Sequence, residues 1–289
     1  MMDYKEFKDF VPDVKFELIP IKQLVSNQNY QRNLSMPHVK KTAENFDLYQ
    51  VNPVKVSRRD GVNYVYNGQH TIEVIALVSG SRETPVWCMV YDEMGYKVEA
   101  DVFANQQKCV KPLTPYEIFM AHIEAENELQ TAIKALVESY GLTIGKTKGS
   151  GMVCAVSSLE QIYKKYGFHV LDRTLRLCVG TWEGDANSLC SGILKGITKL
   201  IVTFGEEIRD DIFKEKVGAN TAREICRLAK ERRAGATGYA EAMLIAYNYK
   251  VRKGLNIASL YSGKNKKYVP AEDVFDGEDG ATGSQEALD

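Results

Sequence analysis

No stretch of this sequence reaches the ~18 consecutive apolar residues that a membrane-crossing helix needs, and no two cysteines form a C-x-x-C pair. The start, MMDYKEFKDF, is charged where a signal peptide needs an apolar stretch, so a cytoplasmic protein without membrane contact is expected. Six cysteines (Cys88, Cys109, Cys154, Cys178, Cys190 and Cys226) are scattered, most of them inside apolar segments such as LRLCVG and AREICRLA. They read as buried thiols rather than a disulfide frame or zinc site. Neither sign of charge dominates. With 37 Lys+Arg against 38 Asp+Glu, no overall positive excess argues for nucleic-acid or membrane binding. Seven of those acids follow Pro270, which leaves the residues before it with 31 acids to 37 bases and a mildly basic character. The rest is ordinary globular composition, 44% hydrophobic and 26% charged over 289 residues, enough for one or two cores.

The first half alternates strand-like and helix-like segments, as a small α/β unit does. FELIPI is a strand leading into the polar loop SNQNYQRNLS. Pro37 suits the first turn of a helix whose apolar face is Val39, Ala43 and Phe46. PVKVSRR and NYVYNG, joined at Asp60-Gly61, read as a hairpin. A helix QHTIEVIALVSG, a buried strand TPVWCMVY and a helix KVEADVFANQQ follow. Thr114-Pro115-Tyr116-Glu117 is a capping box that opens a helix predicted to run to about Tyr140. Ser157 to Glu160 and Thr221 to Glu224 have the same form, and residues 141–151, with four glycines, read as a turn-rich loop or hairpin. The expected architecture is α+β. An N-terminal extension (1–15) precedes a mixed α/β domain (16–113), then a helical domain (114–270) and an acidic, disordered tail (271–289).

Chemistry concentrates in YVYNGQHTIEVIA, where a β-branched and aromatic strand meets a helix through Asn67-Gly68. Main-chain amides at a helix start are unpaired and carry the positive end of the dipole, so they suit a phosphate or another anion. Gly68 would admit the ligand closely, and Gln69, His70 and Thr71 supply donors. The plain alternative is a turn beside a solvated or hydrogen-bonded histidine.

The order of these motifs, from IPI-x-x-L and N-Q-x-x-x-R through NPVKVSRRDGVNYVYNGQHTIEVIALVSG to FANQQK and LTPYE, resembles the N-terminal domain of the ParB/sulfiredoxin-like superfamily over residues 16 to about 120. In that family a loop arginine, a glycine-led motif opening a helix and E-N-x-x-R together form a pocket. By resemblance Arg32 matches the loop arginine, Gly68-Gln69-His70 the Q-H form of the glycine-led motif, and Ala104 to Lys108 the third motif. The implied phosphate- or nucleotide-binding set is Arg32, Gly68, Gln69, His70, Thr71, Asn105, Gln106 and Lys108, with Gln107 beside it. There are departures. Gln69 stands where sulfiredoxins carry their reactive cysteine, and an amide cannot be a sulfur nucleophile. His70 and Thr71 replace the arginine pair of the partition proteins, so the guanidinium fork is missing. Lys108 keeps a charge without bidentate geometry.

No carboxylate pair suited to holding Mg²⁺ stands out. Glu73, Glu99 and Asp101 lie nearest in sequence, and Glu44 and Asp47 are possible substitutes. No metal site of the protein's own is expected; a nucleoside triphosphate with Mg²⁺ is the cofactor the resemblance would allow. Gly145-Lys146-Thr147 imitates the end of a P-loop, but only three residues separate Gly141 from Gly145, where that loop needs four. Lys146 and Lys148 remain candidates for a phosphate backbone, against a flexible loop with exposed lysines. Ser158 to Leu177 has the outline of a helix-turn-helix with a turn at Gly167, in which Lys164, Lys165, Arg173 and Arg176 are candidate DNA contacts. Core packing alone explains Leu171, Leu175 and Val179.

The resemblance thus implies a DNA-binding protein with a phosphate- or nucleotide-recognising pocket, of a type found on phages and mobile elements, and a homodimer paired through its helical domain. A nucleotide-dependent enzyme (hydrolase, phosphotransferase or nuclease, with His70 as the proton-transfer group) is one alternative. A protein-interaction module with a vestigial pocket is the other.

Overall fold

The structure, a computed structural model, describes residues 11–26, 30–106 and 111–262. The chain divides into two compact units, Met1–Pro112 and Leu113–Asp289, and the architecture is α+β. Gln107, Lys108, Cys109 and the acidic tail lie outside the described residues, as does most of the N-terminal extension.

In the first unit, strands β1 (Lys15–Pro20) and β2 (Leu24–Ser26) precede helix α1 (Met36–Glu44). Strands β3 (Val54–Arg59) and β4 (Val62–Asn67), helix α2 (Gln69–Ser79), strand β5 (Pro85–Asp92) and helix α3 (Tyr96–Gln106) complete it. The sheet order is β1-β5-β3-β4-β2, with β1/β5 and β3/β4 antiparallel and β3/β5 and β2/β4 parallel. The β3–β4 hairpin forms because Asp60 (φ 50°) and Gly61 (φ 73°) both take left-handed backbone, the requirement of a two-residue turn that matches strand twist. Strand alternation then divides the residues between faces. Val54, Val56, Val65, Val86, Cys88 and Val90 form a core with Ile72, against which Ile75 and Ala76 also pack. Burying these aliphatic groups, at ~1.5–3 kcal/mol for each full side chain, is what seats α2 on the sheet.

Among its described residues the second unit is helical apart from one short pair of strands. Its elements are α4 (Pro115–Glu124), α5 (Glu128–Ser139), β6 (Thr143–Ile144), β7 (Met152–Val153), α6 (Val156–Trp182), α7 (Ser191–Phe204), α8 (Asp210–Gly218), α9 (Ala222–Arg232) and α10 (Ala236–Asn248). Helix α7 is the central element, with Ile193, Leu194, Ile197, Leu200 and Ile201 all buried. Helix α10 lies close against it because Gly196 carries no side chain: a Cβ there would come within 2.7 Å of Met243 Cε and Tyr239 Cβ.

Several expectations change. The helix opened by Thr114 does not reach Tyr140; the chain breaks at Ala125–Asn127, where Glu126 is left-handed (φ 54°), and α5 starts afresh. The Thr114 and Thr221 boxes close in both directions, but Ser157 caps nothing. Helix α6 begins one residue before it, and the neighbouring Ser158 hydroxyl is buried and donates to Ser191 Oγ at 2.7 Å. Residues 141–151 do not form a hairpin, since β6 and β7 are parallel. Helix α6 is interrupted at Gly167 (φ 80°, ψ 177°), giving the helix–glycine–helix outline. Leu171 and Leu175 are fully buried. The cysteines are not uniformly buried: Cys88 and Cys178 are, whereas Cys154, Cys190 and Cys226 are partly exposed.

Candidate functional site

The turn from β4 into α2 rests on Gly68, whose φ of 111° disfavours any residue with a Cβ. A Cβ would also lie 3.1 Å from Val54 Cγ1. Gly68 is the N-cap of α2 and has no side chain to bond the first-turn amides, and none of those amides has a helical carbonyl before it. The amides face a hollow of about 460 Å³ lined by Arg32, Asn33, Ser35, His38, Asn67, Gly68, Gln69, His70 and Thr71, with Gln31 and Phe103 completing it. Among the described residues no Asp or Glu lines it.

Side chains of the preceding segment bring Arg32 to this place. Gln31 is buried, and its Nε2 donates to the Val65 carbonyl, tying the polar loop to β4 one residue before Arg32. Next to it, the Tyr30 hydroxyl donates to Glu99 Oε2 at 3.1 Å, and its ring lies 5.7 Å from that of Phe103. Burial, with the Glu99 charge second, pushes the Tyr30 phenol up to about 12, so it stays protonated. The wholly buried Glu99 also pairs with Arg59 Nε at 2.9 Å, and the Arg59 guanidinium stacks 4.4 Å from the centre of the Tyr64 ring. The buried carboxylate is therefore committed beneath the loop, and Arg32 itself is exposed with no carboxylate partner among the described residues.

His70 is held as a neutral acceptor. The Ser35 main-chain N–H donates to its Nε2 at 3.2 Å, which leaves the ring proton on Nδ1. Its pKa is lowered, chiefly by burial and further by His38 and Arg32; the His38 ring stands edge-on at 5.5 Å. Asn67 donates to Gln106 Oε1 at 2.7 Å, so Gln106 acts on the rim through Asn67. Asn105 does not line the hollow, and Lys108 lies outside the described residues. Gln31, Asn33, Ser35, His38 and Phe103 were not singled out in the sequence, although His38 follows Ser35 by three residues in the loop–helix junction, a spacing that brings both to one helix end.

This donor set suits a phosphate and does not suit a metal held by the protein, which needs several carboxylate oxygens. Among the described residues no three His, Cys, Asp or Glu side chains converge on a point. Glu73 is taken by Arg82 at 2.9 Å, and Asp47 bonds the Tyr49 amide and the Gln50 side chain.

The expected DNA contacts lie in the second unit. Lys146, Lys148, Lys164 and Lys165 are exposed, with Lys146 3.4 Å from Glu117 and Lys148 donating to Asn187 at 2.7 Å. Arg173 differs from the expectation. Only 12% of its side chain is exposed, and it bonds Asp210, Glu206 and the carbonyls of Gly205 and Ile208, so it is a tie inside the unit. Arg176 is more exposed and sits 3.5 Å from Asp210. Among the described residues, no helix is long and apolar enough to cross a membrane.

With this arrangement in view, the chain belongs to a protein family: the family of unknown function DUF6551 matches residues 25–258. No curated protein matches it. Among solved structures, the C-terminally truncated chromosome-partitioning protein ParB from Caulobacter crescentus, complexed with CTP-gamma-S, is similar at 12% identity and a TM-score of 0.34. The likeness covers 79% of this chain and 98% of that one.

Proposed function

We propose that the first unit is a phosphate-recognition module whose ligand is a nucleotide, within a protein that binds DNA through the lysines of its second unit. The observation that carries this reading is a hollow at the start of α2 that no described Asp or Glu lines, where Arg32, without a carboxylate partner among the described residues, meets the first turn of the helix. Its volume is in the range of small-ligand sites. In this reading the amides after Gly68 receive a phosphate, Arg32 neutralises it, and Asn33, Gln69 and Thr71 orient it. His70 offers Nδ1–H as a donor; with its Nε2 lone pair engaged by Ser35 it is poorly placed to accept a proton, which favours binding over turnover. Any Mg²⁺ would come with the phosphates, because among the described residues no carboxylate lines the hollow to hold it. Lys146, Lys148, Lys164 and Lys165 supply the DNA backbone contacts, and a homodimer remains part of the proposal.

Titration calorimetry with each of the four ribonucleoside triphosphates, with and without Mg²⁺, tests the pocket. Arg32→Ala is expected to weaken binding by about 10- to 100-fold, the value of a charged hydrogen bond. Absence of binding by every nucleotide would refute the reading, and phosphate release would replace it with an enzyme. DNA affinity measured against salt should fall steeply if lysine–phosphate contacts carry it.

A further inference from the structure

The second unit carries another hollow, of about 790 Å³, which shares Lys148 with the proposed DNA contacts but none of the residues of the phosphate pocket. Lys148, Arg223, Arg227 and Lys230 line it around two sulfur atoms, those of Cys190 and Cys226. The sulfurs are 36 residues apart in the chain and 3.9 Å apart in space. The acids of this hollow are already engaged: Glu224 closes the capping box with Thr221, and Glu231 pairs with Arg227 at 2.8 Å. Four bases against these two acids leave the sulfurs' surroundings net positive.

The two cysteines occupy different positions. Cys190 is the N-cap of the fourteen-residue α7, where the helix dipole favours a thiolate. Cys226 sits mid-way along α9, with the Asn187 carbonyl 4.0 Å from its sulfur. We propose that Cys190 and Cys226 are a hydroperoxide-reactive dithiol, Cys190 attacking and Cys226 resolving, that closes reversibly into a disulfide.

In the first step the Cys190 thiolate attacks one peroxide oxygen and the O–O bond breaks. Cys190 becomes a sulfenic acid, and the departing oxygen takes a proton to leave as water, or as an alcohol from an organic hydroperoxide. In the second step the Cys226 sulfur attacks the Cys190 sulfur and the S–O bond breaks. The hydroxyl leaves as water with the Cys226 proton. Two thiols lose two electrons and two protons, and the peroxide gains both. The sulfurs have to approach by about 2 Å to reach the ~2.05 Å of a disulfide bond.

The protonation preferences fit these roles. The Cys190 pKa is drawn well below the usual thiol range, first by its hydrogen bond with Cys226 and then by the Ile193 and Gly192 amides and Lys148, against burial. Cys226 is pushed up, first by that same hydrogen bond, a cause removed once Cys190 is oxidised. Cys88 and Cys178 are buried, and burial raises them to about 11 and about 12, so they serve as internal controls.

The test treats the full-length protein with stoichiometric hydrogen peroxide, alkylates the remaining thiols, and maps peptides by fragmentation mass spectrometry. A Cys190–Cys226 linked peptide that dithiothreitol reverses is expected. Cys226→Ser should accumulate a dimedone-trapped sulfenic acid at Cys190, and Cys190→Ser should slow peroxide consumption at least about tenfold. Retention of both thiols, a bridge between other cysteines, or an unchanged rate in Cys190→Ser would each overturn the proposal. The wild-type map requires no variant to fold.

Discussion

His70 shows how one contact sets a residue's charge and its response to pH. Its Nε2 accepts from the Ser35 amide, and burial, His38 and Arg32 all disfavour the imidazolium, so the folded pKa lies below the ordinary 6.5. The unfolded chain consequently binds more protons as pH falls through that value. The stability associated with neutral His70 is present above about pH 6.5 and is lost as pH falls toward the folded pKa. Urea midpoints measured between about pH 8 and about pH 5 should decline less in His70→Gln than in the wild type; equal declines would show that His70 does not titrate with folding. The site residues differ in how far the sequence exposes them. Gly68 is visible because strand, glycine and helix follow one another, whereas His38 is brought to His70 only when α1 lies against α2.

At the scale of elements, hydrogen bonds between distant segments decide what local signals cannot. Arg173 on α6 binds the turn after α7 and the start of α8 with nearly all its donors. Glu206 is almost fully exposed and adds little, so the cost of Arg173→Ala should come from the buried guanidinium's partners, the Asp210 carboxylate and two carbonyls. A loss of about 2–4 kcal/mol in urea unfolding is expected, and Arg173→Lys should recover only part of it because an ammonium lacks the fork. A loss below about 0.5 kcal/mol would place Arg173 among ordinary surface residues. The capping boxes teach the same lesson in reverse. Thr114 and Thr221 stand where an extended residue precedes a helix, while Ser157, with the same pattern, is already the second residue of α6, whose N-cap is Ala155.

At the scale of the whole molecule, the two cores are separate and unequal, a short sheet-and-helix core in the first unit and a larger helical one in the second. The two tryptophans divide between them. Trp87 is half exposed on β5, and Trp182 is buried at the end of α6 with its Nε1 donating to the Asn220 carbonyl at 3.0 Å. In Trp182→Phe the remaining fluorescence reports the first unit, and in Trp87→Phe the second. The smaller core should unfold at the lower urea concentration; coincident transitions would show that the units unfold as one.

Local order was written in the chain. The Asp60-Gly61 turn, two threonine caps and the glycine opening α2 follow from neighbours in sequence, because turns and caps depend on backbone torsions and bonds spanning a few residues. Long-range proximity was not written there. The break at Glu126 has no glycine or proline to announce it, Arg173 looked like a surface cation, and Cys190 and Cys226 looked unrelated. Only packing α7 against α9 and α10 brings those two sulfurs into one basic hollow, because a contact across 36 residues depends on where each helix buries its apolar face.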